Sequence, residues 1–208
     1  MMVDTQVRPS DVTKFPIIDA MLHVPRETFV PDSLREAAYV GENLDIGGGR
    51  VMLEPRTQAK KLEALDIQPD HVALDIACGL GYSTAVLASL CDFVVAVEDD
   101  EGRAEEAQSL LSGHGTDNAA VMAGPLHEGS AKSGPYDVIL TQGAVVDVPA
   151  ALLDQLREGG RIACVFIEGT LGVVRIGHKI DGVVNWRFSF NASAPVLAGF
   201  EGQSVFAL

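Results

Sequence analysis

Asp75, Gly79 and Gly81 in the stretch LDIACGLGYSTAVLASL, and Glu98 in VAVEDD, are the residues of this 208-residue chain whose types and spacing could do chemistry. A carboxylate closes an apolar run, two glycines occupy the turn after it, and an amphipathic segment follows. In a strand–turn–helix unit, Gly79 and Gly81 let the backbone approach a ligand and adopt dihedrals closed to larger residues, while the helix behind offers unpaired N–H groups. Glu98 follows Asp75 by 23 positions, at the end of the next apolar run, where an acid can accept both hydroxyl protons of a ribose. The bland alternative is a turn that needs glycine only for packing. With Glu98 so placed, the pattern predicts a site for an adenosyl cofactor. A dinucleotide fingerprint is missing its third glycine, because Thr84 stands in that place. No phosphate-loop lysine motif is present either.

The elements that must position these residues begin at Val72. Apolar strand candidates (VALDI, FVVAV, AAVMA, YDVIL, RIACVF) alternate with helical patterns over Tyr82 to Leu90, Glu101 to Leu111 and AALLDQL. Strands without period-2 alternation, interleaved with helices, imply a mostly parallel sheet covered by helices on both faces. LGVVRIGHKI and VVNWRFSF then flank Asp181-Gly182, a dipeptide that favours a tight hairpin, so antiparallel strands are expected at the C-terminal end, with SVFAL as a possible last strand. The fold class is therefore α/β, and Asp75 and its turn fall at the carboxyl edge of the first parallel strand, where open α/β sheets bind ligands. Residues 1–68 read as a helical N-terminal appendage without strand signal. Pro16 opens one helix and RTQAKKLEAL forms another, and residues 69–208 make the cofactor-binding domain.

Composition narrows the function classes. Apolar residues make up 47% and charged residues 21%, the usage of a chain with enough aliphatic side chains to fill a buried sheet. A formal charge of −14 argues against tracking nucleic-acid phosphates, which requires clustered Lys and Arg. The first 21 residues hold no uninterrupted apolar core of signal-peptide length, and no segment is long enough to span a bilayer, so the expected location is cytoplasmic. Cys78, Cys91 and Cys164 lack Cys-x-x-Cys spacing and read as buried thiols. His23, His71, His114, His127 and His178 are scattered, and no metal site is expected.

The run Asp75-x-Ala77-x-Gly79-x-Gly81 resembles the first motif of class I S-adenosylmethionine methyltransferases, with alanine at the first glycine position. Upstream, DAMLHVPRETFVPDSLREAAYVGENLDIGGGRVMLEP resembles the N-terminal region of protein-L-isoaspartate O-methyltransferases. That family runs through a Val-Pro-Arg-Glu-x-Phe-Val-Pro segment, an Ala-Tyr pair, a Gly-rich loop and Thr-Ile-Ser-x-Pro. Val24 to Pro31, Ala38, Tyr39, Gly47 to Gly49 and Pro55 match it. GPYDVILTQGAVVDVPAALLDQLREGGRIACVF matches downstream, so the likeness covers roughly residues 15–168 in register. It implies a class I methyltransferase (Rossmann-like) fold and S-adenosylmethionine as cofactor, held by Asp75, Ala77, Gly79, Gly81, Tyr82, Glu98 and Asp99, with Gly124, Pro125 and Leu126 on the adenine side. It also implies a lid and substrate region at Gly47, Gly48, Gly49, Met52 and Leu53.

Two departures bear on the substrate. The family's active-site serine falls on Leu53, and its Gly-Asp-Gly acid falls within Gly124, Pro125 and Leu126. The family's activity implies methyl transfer to a carboxylate of isoaspartyl residues in damaged proteins or peptides, a reaction needing no general base because the carboxylate is already ionised near neutral pH. Two further readings remain: a relative with the same cofactor and another acceptor, and a non-catalytic sensor of the cofactor. GENLDIGGGRVMLEP is either a plain connector or a lid whose glycines permit closure, and its position before the cofactor turn favours the lid.

Overall fold

The computed structural model describes residues 2–202. After short π- and 3-10 turns over Val3–Ser10, α1 (Phe15–His23) starts with Pro16 in its first turn, as expected from proline's fixed φ and missing N–H. Two further 3-10 turns lead to β1 (Leu44–Gly47) and β2 (Arg50–Met52), an antiparallel hairpin. This corrects the reading of residues 1–68 as strandless. The strands are four and three residues long, too short to display alternation, and the turn is made by Gly47, Gly48 and Gly49, all at positive φ. Then come α2 (Pro55–Leu65), β3 (Val72–Ile76), α3 (Tyr82–Ala88), β4 (Phe93–Glu98), α4 (Glu101–His114) and β5 (Ala119–Ala123). The chain continues with β6 (Tyr136–Val145), α5 (Ala150–Leu153), β7 (Leu156–Glu168), β8 (Leu171–Ile180) and β9 (Val183–Asn191).

Among the described residues, seven strands form one sheet in the order β5-β4-β3-β6-β7-β8-β9. The first five are parallel, and β8 and β9 close the sheet antiparallel. The Asp181-Gly182 turn is where the dipeptide placed it, with both residues at positive φ. AALLDQL is a correction: the helix covers only Ala150–Leu153, and Leu156 already begins β7. SVFAL lies outside the described residues.

Each central strand is buried on both faces, which is why the runs lacked alternation. Ala73, Val94, Val138 and Leu140 point to one face, where Ile17, Met21, Leu62, Leu65, Ala85 and Val86 cover them. Leu74, Ile76, Val95, Val97 and Ile139 point to the other, against Leu126, Leu152, Leu197 and Phe200. The N-terminal helices thus share a core with the sheet, on both sides of position 68. Chain order reverses between β3 and β6: β4 and β5 extend to one side of β3 and β6 onward to the other. The crevice at the carboxyl ends of β3 and β6 is the switch point at which such sheets take ligands.

Candidate active site

The turn after β3 sits at that crevice. Ala77 has φ +68°, Gly79 +60° and Gly81 +98°. An alanine there carries a Cβ in left-handed backbone, which costs roughly 1–2 kcal/mol; its N–H donates to Val97 O at 2.8 Å, holding the turn against β4. Gly79 N donates to Glu98 Oε2 at 2.8 Å. The acid that ends β4 is thereby fixed beside the glycine turn, and Asp99 follows it at the crevice rim.

Asp75 is engaged by the protein's own side chains. It is fully buried, and its carboxylate accepts from Ser83 Oγ (2.5 Å), Thr84 Oγ1 (2.7 Å) and Gln142 Nε2 (2.8 Å). One carboxylate therefore ties the first turn of α3 to β6 across the switch point. Burial pushes its pKa up, and the three donors pull against that shift.

The β1–β2 hairpin lies over the turn. Arg50 Nη1 and Nη2 donate to Glu98 Oε1 and Oε2, each at 2.9 Å, and Nη1 also reaches Asp99 Oδ1 at 2.8 Å. Arg103 Nη1 donates to Glu98 Oε1 at 3.0 Å, and Nη2 donates to Gly47 O at 3.4 Å. Glu98 is inaccessible to solvent and the Arg50 side chain is 6% exposed. Burial raises the Glu98 pKa, while Arg50 opposes the shift as counter-ion. A Cβ on Gly79 would stand 2.8 Å from Ile46 Cδ1, and one on Gly48 would stand 2.9 Å from Arg103 Nη2. The cavity left between hairpin and turn is about 20 Å³, space for roughly one water.

Leu53 and Met52 border this cavity, together with Gln58, Tyr82 and Cys78. Leu53 is buried against Ala144, Val165, Val174 and Phe190, so its side chain is a wall of packed hydrocarbon. Gln58 is buried with neither side-chain polar atom hydrogen-bonded, and the Tyr82 hydroxyl is likewise unpartnered. Arg26, fully buried, places its guanidinium 4.8 Å from the Tyr82 ring centroid and donates to Ala38 O and Leu53 O at 2.6 Å. Gly124 N donates to Glu98 O at 2.9 Å, which brings the segment after β5 to the site. The Leu126 side chain is part of the core and leaves only backbone groups of that segment for a ligand. Sequence reasoning missed Arg50, Arg103, Gln58 and Gln142. Arg50 alone carried a signal, as the first charged residue after three glycines.

Parallel strands with a switch point, closed by an antiparallel pair after β7, define a Rossmann-like methyltransferase. A solved protein-L-isoaspartate O-methyltransferase superposes with a TM-score of 0.80 at 25% identity, over 91% of this chain and 63% of that one. The chain thus spans under two thirds of that structure's length. A Plasmodium falciparum protein solved with S-adenosyl-L-homocysteine shares the fold at a TM-score of 0.82 and 18% identity, over 94% and 96% of the two chains. The chain belongs to the protein-L-isoaspartate(D-aspartate) O-methyltransferase family, whose model matches residues 2–185. Protein-L-isoaspartate O-methyltransferases from Syntrophus aciditrophicus and Vibrio campbellii are each 36% identical to it. The first match covers 86% of this chain and 84% of the relative, the second 88% of both.

The family uses S-adenosylmethionine, and the residues present fit that group. Glu98 offers a carboxylate at the strand end, Gly79 and Gly81 form a cradle at positive φ, and Gln58, whose amide is buried without a hydrogen-bond partner among the described residues, lines the cavity with Tyr82. The space between turn and hairpin is what must change, since about 20 Å³ holds no adenosyl group.

Proposed function

We propose that the protein transfers a methyl group from S-adenosylmethionine to the free carboxylate of isoaspartyl residues in damaged proteins or peptides. The observation that carries this reading is Glu98 fixed by the Gly79 N–H at the switch point, in a chain of the isoaspartate O-methyltransferase family. Bound there, the cofactor supplies a methyl carbon made electrophilic by its sulfonium. An isoaspartyl carboxylate is already ionised near neutral pH, so the chain would need to supply no general base, only residues that hold the two reactants in line.

The chain's own task is to position and to dry the site. Orientation of two reactants contributes up to roughly 7–11 kcal/mol, and the hairpin with Leu53 and Met52 keeps water from the carboxylate nucleophile. Leu53 cannot donate the hydrogen bond a serine would, so turnover on isoaspartyl peptides is expected to be about ten- to a hundredfold below that of a serine-bearing site. The same side chain favours a second reading, a carboxylate acceptor with an apolar flank. Three buried free cysteines suit a reducing cytoplasm, and the net charge of −14 suits a protein or peptide acceptor better than nucleic acid or an anionic membrane. Among the described residues no helix is long and apolar enough to cross a membrane.

The test is incubation with radiolabelled methyl donor and an isoaspartyl peptide beside its aspartyl isomer. Base-labile label on the isoaspartyl peptide alone is expected. Label on neither peptide would remove isoaspartate as the acceptor.

A further inference from the structure

We propose that the β1–β2 hairpin is a self-seated stopper of the cofactor site, with Arg50 occupying the carboxylate that must receive the ribose. The inference rests on the cofactor reading above and adds to it a required first step: Arg50 leaves Glu98 before the cofactor enters.

Three observations converge. Both Glu98 oxygens are taken by Arg50 in a bidentate pair at 2.9 Å, the strongest geometry available between a guanidinium and a carboxylate. Ile46, on the same hairpin, fills the space over Gly79 that a close-approach glycine keeps open for a ligand. The remaining cavity is about 20 Å³, so the hairpin and an adenosyl group cannot share the site in this arrangement. Arg50 Nε is itself buried without a partner. Its guanidinium thus satisfies Glu98 and Asp99 at the expense of one of its own donors, a contact that is strong but incomplete.

The hairpin is anchored at its base and lightly tied at its tip. Leu44 and Met52 are buried in the core, and Asn43 donates to Ser193 O at 2.6 Å and accepts from Glu54 N at 2.8 Å. The tip is three successive glycines at positive φ, and besides Arg50 its described tie to the rest of the protein is the 3.4 Å contact from Arg103 to Gly47 O. Arg103 donates to Glu98 Oε1 and the Gly79 N–H to Oε2, two contacts independent of Arg50. With Arg50 withdrawn, the lone pair it occupied on each oxygen is open to a ribose hydroxyl while the carboxylate keeps these two donors. Apparent affinity for the cofactor is reduced by the fraction of molecules in the open arrangement.

The experiment compares wild type and Arg50→Met by calorimetric titration with S-adenosylhomocysteine. The variant is expected to bind about 10- to 100-fold more tightly, the factor set by one or more charged hydrogen bonds no longer broken on binding. In parallel, the Arg50 guanidinium N–H signals of wild type are followed by nuclear magnetic resonance. They should be protected from exchange in the free protein and lose that protection at saturation. Equal or weaker binding by Arg50→Met overturns the stopper, as does a guanidinium that stays protected with ligand bound, a readout that stands even where the variant does not fold. Absence of binding by both proteins, both folded, fails the cofactor reading and the stopper with it. Equal binding by both fails the stopper alone.

Discussion

Lys61 offers a test of how the site is braced. It lies on α2 with no exposed surface, and its ammonium donates to the Thr141 carbonyl on β6. That carbonyl adjoins Gln142, which holds Asp75, so Lys61 braces the switch point from beneath. Burial pushes its pKa down from 10.5 to about 8, with Cys164 and Asp75 pulling the other way. The sign follows from proton counts. Between about pH 8 and 10.5 the unfolded chain binds a proton at Lys61 and the native protein does not, so stability rises with pH across that window. Below it both states are protonated, and the native state carries a buried charge that costs about 3 kcal/mol, the free-energy equivalent of a pKa of about 8 in place of 10.5. Lys61→Met removes the titration. Urea unfolding of both proteins at pH 7.5, 8.5, 9.5 and 10.5 should show the variant's relative stability falling by about 3 kcal/mol from the lowest pH to the highest. The difference between the proteins is the informative quantity. Cys91 and Cys164, pushed up to about 12 and about 11, make stability fall with pH in both proteins, because the unfolded thiols ionise first. Parallel stability curves for the two proteins would falsify the buried-charge account of Lys61.

Other perturbations separate the roles of neighbouring residues. Leu53→Ser should raise isoaspartyl methylation by about ten- to a hundredfold with little change in cofactor affinity, at a stability cost of about 2–5 kcal/mol for emptying its packed position; unchanged turnover would show the leucine to be harmless. Gly81→Val should abolish cofactor binding and lower the melting temperature, since φ is +98° and the added Cβ would meet Leu111 Cγ at 3.2 Å. A variant with wild-type affinity would make that turn purely structural. The three buried thiols, all with raised pKa, should resist a chromogenic disulfide reagent in the native protein and react fully in denaturant; rapid native labelling would mean that the hairpin and sheet open on that timescale.

The sheet was legible because its strands are continuous apolar runs, and such runs announce burial on both faces without naming a partner. The turn was legible because Gly79 and Gly81 are required where φ is positive. The hairpin was not, since LDIG and RVM hold too few residues to reveal a period, and the glycines between them fit a connector equally well. Asp75 was read as a cofactor ligand from its place in the motif. Its engagement by Ser83 and Thr84 could have been anticipated from their position in the next helix's first turn, but Gln142 is 67 residues away. Arg50 and Glu98 are 48 residues apart, and a pairing at that separation is set by how the hairpin folds back over the sheet. Local pattern carries no record of it.

The departures from the family pattern divide by the side of the site they touch. On the donor side, Ala77 adopts φ +68° and still holds its backbone bond to Val97. Leu126 turns into the core, while Gly124 keeps its N–H on Glu98 O. Both changes leave the backbone geometry of a cofactor cradle in place, because that geometry depends on dihedrals and peptide groups more than on side chains. At Leu53 the family's hydroxyl is replaced by hydrocarbon, and the donor that β2 carries, Arg50, is engaged by Glu98 and Asp99. The nearest unpartnered polar groups are the Gln58 amide, on the helix that follows, and the Tyr82 hydroxyl, both on the same small cavity. The Arg50–Glu98 pair joins the two sides, because the strand that carries Arg50 ends at Met52, beside Leu53.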